Sequence, residues 1–249
     1  MPRTKYIQIE SKNALLELLR EGKHFDKIYV ALSAYKDLKT KEIVQIAGSR
    51  RVPIEKASRK FMDRLSKTSS IESVIGLMEA DNMWRLDELL LKLHEEKISP
   101  FFILLDHIKY DQNIGAILRT AFGCGVNGII TPIKTENFLT NESLRISMGA
   151  AARIPIVEMN LFSALSEMKK EGIKVYGVSM EGREYYNTDL RGPAAFVMGA
   201  EDVGISPKVS ERVDEMVSIP MREGLGSLNV GASTAIVCYE KLRQEVKGF

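Results

Sequence analysis

Cysteine is scarce in this 249-residue chain, and the two present, Cys124 and Cys238, form no CxxC pair. A disulfide-stapled scaffold and a thiolate metal site are therefore not expected. Histidine is nearly as scarce: His24, His94 and His107 are scattered, and neither HExxH nor a P-loop occurs. No uninterrupted apolar run approaches the ~20 residues of a membrane span. Met1-Pro2-Arg3-Thr4-Lys5 leads into no signal-peptide core. The expectation is a cytoplasmic protein without metal. Repeats and low-complexity tracts are also missing.

What is present is ordinary in bulk and uneven in detail. With 45% hydrophobic and 27% charged residues, the chain can bury a real core as one large domain or two. The net charge of +2 conceals an asymmetry. Residues 1–80 carry 16 Lys and Arg against 10 Asp and Glu, a net of +6, and the remainder, 19 against 23, carries −4. Such a basic third suits a polyanion, or simply a solvated surface.

Periodicity divides the chain. Residues 11–21 read as a helix capped by Ser11 and ended by Gly22, 27–31 as a strand and about 40–47 as a helix. A strand over 52–55, a helix from Ser58 to Leu65 and a strand over 73–78 complete a small α/β sandwich, residues 1–80. Its basic residues gather at Arg50, Arg51, Lys56, Arg59, Lys60, Arg64 and Lys67, beside the polar loop 67–70. Residues 81–97, with Trp84 and four spaced leucines, read as an amphipathic linker helix. From residue 98 a parallel α/β pattern runs to the end. Its strands are expected over 101–105, 128–130, 154–157, 174–178 and 194–198, with helices over 114–121, 142–148 (capped by Asn141) and 161–170 between them. Ser206-Pro207 opens a short helix.

Gly123-Cys-Gly-Val-Asn-Gly128 spells GxGxxG, but a dinucleotide fingerprint must leave a strand and enter a helix. Here a helix ends at the glycines and a strand begins after them, so they read as a C-cap and turn. An ordinary Rossmann enzyme is disfavoured.

Three polar segments sit at strand ends: Asn113-Ile-Gly-Ala-Ile-Leu-Arg119-Thr-Ala, Val197-Met-Gly199-Ala-Glu201-Asp-Val-Gly204, and Ile219-Pro-Met221-Arg-Glu-Gly-Leu-Gly-Ser227-Leu228-Asn229-Val. By spacing alone the last is a strand, a glycine-hinged loop and a helix N-terminus, in which Ser227 or Asn229 either caps the helix or faces an anion. Together, and in this order, the three resemble the motifs of the SpoU/TrmH family of RNA ribose 2′-O-methyltransferases, over roughly residues 98–249. The basic first third is similar in layout to the L30e-like substrate-binding domain of the ribosomal-RNA members.

The resemblance implies a SPOUT fold with a deep C-terminal trefoil knot, a homodimer whose active site uses both subunits, and S-adenosylmethionine as cofactor. It places Gly199, Ile219, Met221 and Leu228, with Met180 beside them, around the cofactor. It matches Asn113, Arg119, Glu201, Ser227 and Asn229 to the functional polar positions. Two roles stay open for Arg119: activating the ribose hydroxyl, or anchoring the neighbouring phosphate, since a guanidinium holds its proton. Asn113 is left as a helix cap, a site residue or both, and Glu201 is expected to orient Arg119 or substrate. The chain departs from the pattern at Gly231, where bacterial members usually carry serine, and at the charged Arg222-Glu223. Both departures bear on the substrate pocket. Asp106 and His107 form an acid–imidazole pair to which the sequence assigns no role.

The implied activity is 2′-O-methylation of a ribose, guanosine by preference, in 23S ribosomal RNA. The alternatives are a transfer-RNA methyltransferase and a non-catalytic RNA-binding assembly factor.

Overall fold

The computed structural model describes residues 6–66, 73–79, 82–133, 139–222 and 227–246. Loop 67–70 and the glycine-bearing stretch 223–226 lie outside these. Two compact units emerge, Met1–Asp81 with Leu139–Ala152, and Asn82–Phe138 with Arg153–Phe249.

The first unit contains strands β1 (Tyr6–Ile9), β2 (Phe25–Ala31), β3 (Ile54–Ala57) and β4 (Val74–Glu79), and helices α1 (Lys12–Arg20), α2 (Leu38–Ser49) and α3 (Arg59–Leu65). The sheet order is β1-β4-β2-β3, antiparallel except for the β2–β3 pair. Helix α1 starts where expected because Ser11 Oγ accepts the Ala14 N–H at 3.4 Å. Its Leu15, Leu18 and Leu19 are wholly buried, each stabilising the unit by roughly 1.5–3 kcal/mol. Ser58 caps α3 in the same way, through the Phe61 N–H. Strand β1 was not anticipated: it has only four residues, and Gln8 is buried together with Ile7 and Ile9.

The second unit opens with α4 (Leu86–Glu95). Expected as a bridge, this helix instead buries Leu86, Leu89, Leu90 and Leu93 in the core of its own unit, against Phe102 and Leu104. Next come β5 (Phe101–Asp106), α5 (Asp111–Gly123) and β6 (Gly128–Thr131). Helix α6 (Asn141–Ile146) belongs to the first unit and packs on β1. Its cap is Thr140, not Asn141: Thr140 Oγ1 accepts the Ser143 N–H at 3.2 Å, and Ser143 Oγ accepts the Thr140 N–H in return. The chain continues through β7 (Ile156–Glu158), α7 (Leu161–Lys170), β8 (Lys174–Ser179), the two-residue β9 (Arg183–Glu184), β10 (Ala194–Gly199), α8 (Pro207–Ser210), β11 (Glu215–Ser218) and α9 (Val230–Glu245).

All seven strands of this unit run parallel in the order β7-β6-β5-β10-β8-β11-β9. Strand β5 is buried along its whole length, which explains its unbroken apolar run. Because β5, β10, β8 and β11 are parallel neighbours, their carboxyl ends share one edge of the sheet. There the strand order turns back on itself, the kind of crevice in which α/β sheets hold ligands. The GxGxxG stretch is the helix end that was expected: α5 stops at Gly123, Gly125 has φ +73, and β6 starts at Gly128.

Helices α5 and α9 pack against each other. Gly231 lies between them, where a Cβ would stand 2.9 Å from Ala116 Cβ. Its place is a helix crossing, so the departure at this position bears first on packing and not on a pocket wall. Near the far end of α9, the fully buried Lys241 ammonium donates to Leu190 O (3.1 Å), Gly192 O (2.7 Å) and Glu245 Oε1 (2.6 Å), over the Phe101 ring. A charge taken out of water needs such complete pairing.

Candidate active site

At the shared carboxyl edge, three segments distant in sequence meet through one side chain. Asn229 Nδ2 donates to Asn113 Oδ1 at 2.9 Å and to Glu201 Oε1 at 2.5 Å. Asn229 Oδ1 accepts the Gly231 N–H at 2.9 Å, capping α9. The sequence left capping and function as alternatives for Asn229, and the structure combines them: the carbonyl caps while the amide ties the other two segments together. Asn113 is not a cap. Helix α5 begins at Asp111, with Tyr110 at the N-cap position, and Asn113 sits inside the first turn with its side chain buried.

Glu201 is paired with Asn229 and not with Arg119. Arg119 lies six residues beyond Asn113, about 240° around the helix, on the exposed face of α5. It lines neither of the two cavities at this edge. The structure thus gathers Asn113, Glu201 and Asn229, and leaves Arg119 apart within one chain.

Beside this cluster is a cavity of about 480 Å³ at the ends of β8, β10 and β11, within the usual range for small-molecule sites. Gly199, Ile219, Met221, Leu228 and Met180 all line it, as do Glu201 and Ser227. Gly199 is obligatory. The chain after β10 folds straight back, with Ala200 and Gly204 exchanging both backbone hydrogen bonds (3.1 and 2.8 Å). A Cβ on Gly199 would lie 2.2 Å from the Gly204 carbonyl carbon, a clash with backbone that no rotamer relieves.

Sequence reasoning missed other walls of the cavity: Val178 and Ser179 from the end of β8, Met198, Ile205 and Met216. Only their position at strand ends could have signalled them. Apolar walls of Val178, Ile205, Ile219 and Leu228 suit a flat heterocycle, while Glu181, Glu201 and Asp202 on the lining suit a cationic group. S-adenosylmethionine, which combines a purine with a sulfonium and an ammonium, fits that donor set. Among the described residues no group of acidic, histidine or cysteine side chains is placed to hold a metal.

Comparison with known proteins agrees with this geometry. The model of the SpoU rRNA methylase family matches residues 100–239, and a model described as RNA 2′-O ribose methyltransferase substrate binding matches residues 9–83. The chain is 31% identical to the putative TrmH family tRNA/rRNA methyltransferase YacO of Bacillus subtilis, over 94% of each chain. It is 30% identical to the 23S rRNA (guanosine-2′-O-)-methyltransferase RlmB of Salmonella typhimurium, over 95% of this chain and 96% of that one. In fold it resembles the SpoU methyltransferase AviRb of Streptomyces viridochromogenes, solved in complex with AdoMet. The TM-score is 0.79 at 20% identity, covering 98% of this chain and 92% of the other.

Proposed function

We infer the reaction from kinship: the chain belongs to the SpoU rRNA methylase family, and its site suits transfer of a methyl group from S-adenosylmethionine to a ribose 2′-hydroxyl. Relatives named for guanosine in 23S ribosomal RNA, similar over almost the whole chain, make that the preferred substrate. The observation that carries the reading is the junction of Asn113, Glu201 and Asn229 beside the cavity lined by Gly199, Ile219 and Leu228.

Bound there, the cofactor would supply a methyl carbon made electrophilic by its sulfonium. Gly199, Ile219 and Leu228 hold it through backbone groups and apolar contact, with Met221 and Met180 at the rim. Ser227, exposed on the cavity lining, orients the ribose and its phosphate. Asn229, its two amide protons already given to Asn113 and Glu201, offers the ribose only Oδ1 as an acceptor, so that the hydroxyl is held in line. Asn113 and Glu201 fix that amide.

Arg119 serves the site of a second copy. Its exposed position on α5 supports a homodimer in which each subunit's guanidinium anchors a phosphate at its neighbour's cavity. The first third, residues 1–80, holds the RNA through exposed Arg50, Arg51, Arg59, Lys60 and Arg64. The deep trefoil knot and a cytoplasmic location complete the reading. Among the described residues no helix is long and apolar enough to cross a membrane.

The test is incubation of the purified chain with tritiated-methyl S-adenosylmethionine and unmodified 23S ribosomal RNA, with transfer RNA as a parallel arm. Label in 2′-O-methylguanosine of the ribosomal RNA is the expected outcome. Label in transfer RNA alone would move the substrate. Cofactor binding without label in any RNA would leave a non-catalytic RNA-binding protein.

A further inference from the structure

We propose that a second cavity beside the cofactor site takes a guanine base, stacked on Tyr110 and read at its Watson–Crick edge by the Asp202 carboxylate. The inference rests on the methyl-transfer reading above and adds to it the residues that choose the nucleoside.

Strands β5 and β10 are parallel neighbours, and Asp106 stands opposite Gly199 in their register. The loops that leave them, 107–110 and 200–204, therefore start side by side. Asp106 Oδ2 accepts the Ser206 N–H at 2.7 Å, a charge-assisted bond that braces one connection on the other. The cavity they enclose measures about 330 Å³, at the small end of ligand sites and enough for a nucleobase. Lys109, Tyr110 and Asn113 line it from the first loop and the helix it enters, and Ala200, Glu201 and Asp202 from the second. Residues 200–202 also line the cofactor cavity, so the two adjoin. Through Asn113, whose Oδ1 accepts from Asn229 at 2.9 Å, the second cavity reaches the junction of the three segments.

Three of these side chains have no task inside the chain. Tyr110 stands at the N-cap position of α5 but makes no capping bond through its side chain, and it is 68% exposed. Among the described residues, neither the Lys109 ammonium nor the Asp202 carboxylate has a hydrogen-bond or ion-pair partner. An aromatic ring left in water beside a cavity offers the face on which an unpaired RNA base stacks.

Charge decides which part of a nucleotide enters. One lysine is set against two carboxylates on this lining, so a phosphate is repelled and a neutral base rich in donors is favoured. A carboxylate only accepts. Guanine alone among the four bases has two adjacent donors on its Watson–Crick edge, N1–H and the 2-amino group, and they match the two oxygens of one carboxylate. Adenine and cytosine turn a ring-nitrogen acceptor toward it, and uracil offers a single N–H between two carbonyls. Lys109, a donor only, complements guanine O6. Glu201 is already engaged by Asn229, which leaves Asp202 as the reader. Asp202 borders both cavities, and Glu181 remains on the cofactor side for a cationic group.

The experiment uses the full-length chain. It first maps the nucleotide of unmodified 23S ribosomal RNA that the wild type labels, then compares RNA fragments carrying guanosine or inosine at that position. Inosine lacks only the 2-amino group. Wild-type kcat/KM should fall roughly tenfold on inosine. In Asp202→Ala, kcat/KM on guanosine falls roughly 10–100-fold and the preference over inosine vanishes. Tyr110→Ala raises KM about tenfold with kcat largely kept, and Tyr110→Phe behaves as wild type. Cofactor affinity, measured by calorimetry, is unchanged in all three variants.

Label on a nucleotide other than guanosine would overturn the proposal and leave methyl transfer standing. An undiminished preference for guanosine over inosine in Asp202→Ala would do the same. So would weakened cofactor binding in Asp202→Ala, which assigns that carboxylate to the methyl donor, or dissociation of a dimer in Tyr110→Ala, which assigns the ring to a subunit contact. If the wild-type chain itself labels no RNA, both readings fall.

Discussion

In the first unit a four-stranded mixed sheet carries an excess of positive charge and no motif. In the second, seven parallel strands carry a slight negative excess and three motifs, all at strand ends. The difference is one of physics as much as of topology. Holding a polyanion needs charge spread over a surface, and any of several lysines or arginines contributes a similar share. Transferring a methyl group needs a few atoms held to within fractions of an ångström. A parallel sheet supplies this by bringing several loops to one edge. Substitutions in the first unit should therefore act gradually, and those at the edge in the second abruptly.

The sharpest test of that contrast is Asn229→Ala. It removes the link to Asn113 and Glu201 and the cap on α9 at once. Turnover should fall by two orders of magnitude or more, with RNA affinity unchanged in anisotropy titrations. The lost cap costs about 1 kcal/mol in a denaturant melt. A variant that still turns over at a tenth of the wild-type rate would break the comparison.

Gly199→Ala should come next. The added methyl meets the Gly204 backbone, and displacing that loop should weaken S-adenosylmethionine binding at least tenfold by calorimetry. RNA affinity again stays constant.

In the first unit, the triple variant Arg59→Ala/Lys60→Ala/Arg64→Ala should behave oppositely. RNA binding weakens about tenfold, and the dependence of log K on log salt flattens by roughly 0.7–0.9 for each phosphate no longer neutralised. Cofactor affinity is untouched. An unchanged salt slope would show that α3 faces solvent and not RNA.

The smallest effect expected is at the thiols. Burial pushes Cys124 up to about 11, against a hydrogen bond from Tyr239 that favours the thiolate, and burial also holds Cys238 well above the ordinary thiol value. Roughly one Cys124 in a thousand is then thiolate at pH 8. Neither cysteine should react with iodoacetamide over an hour in the native chain, and both should react once it is unfolded. Rapid native labelling would mean that the packing of α5 on α9 is looser than it stands.

Much of this was readable from residue order. Ser11 and Ser58 cap the helices they precede, the apolar run 101–105 is a strand buried on both faces, and the glycines 123–128 end a helix instead of cradling a phosphate. The errors are instructive. Asn113 and Asn141 look like caps because asparagine caps well, yet Tyr110 and Thr140 occupy those positions. A helix can start a turn early when tertiary packing supports it. Strand β1 escaped notice because its alternation, Ile7-Gln8-Ile9-Glu10, is too short to stand out.

The motif residues, the basic first third and the period of each long element came from the sequence by itself, since local propensity and spacing are local properties. Tertiary structure alone decided that one amide joins three segments spread over more than a hundred residues, that Gly231 belongs to a helix crossing, and that Arg119 faces away from Asn113. Those contacts depend on the order in which the strands enter the sheet, which local spacing does not encode.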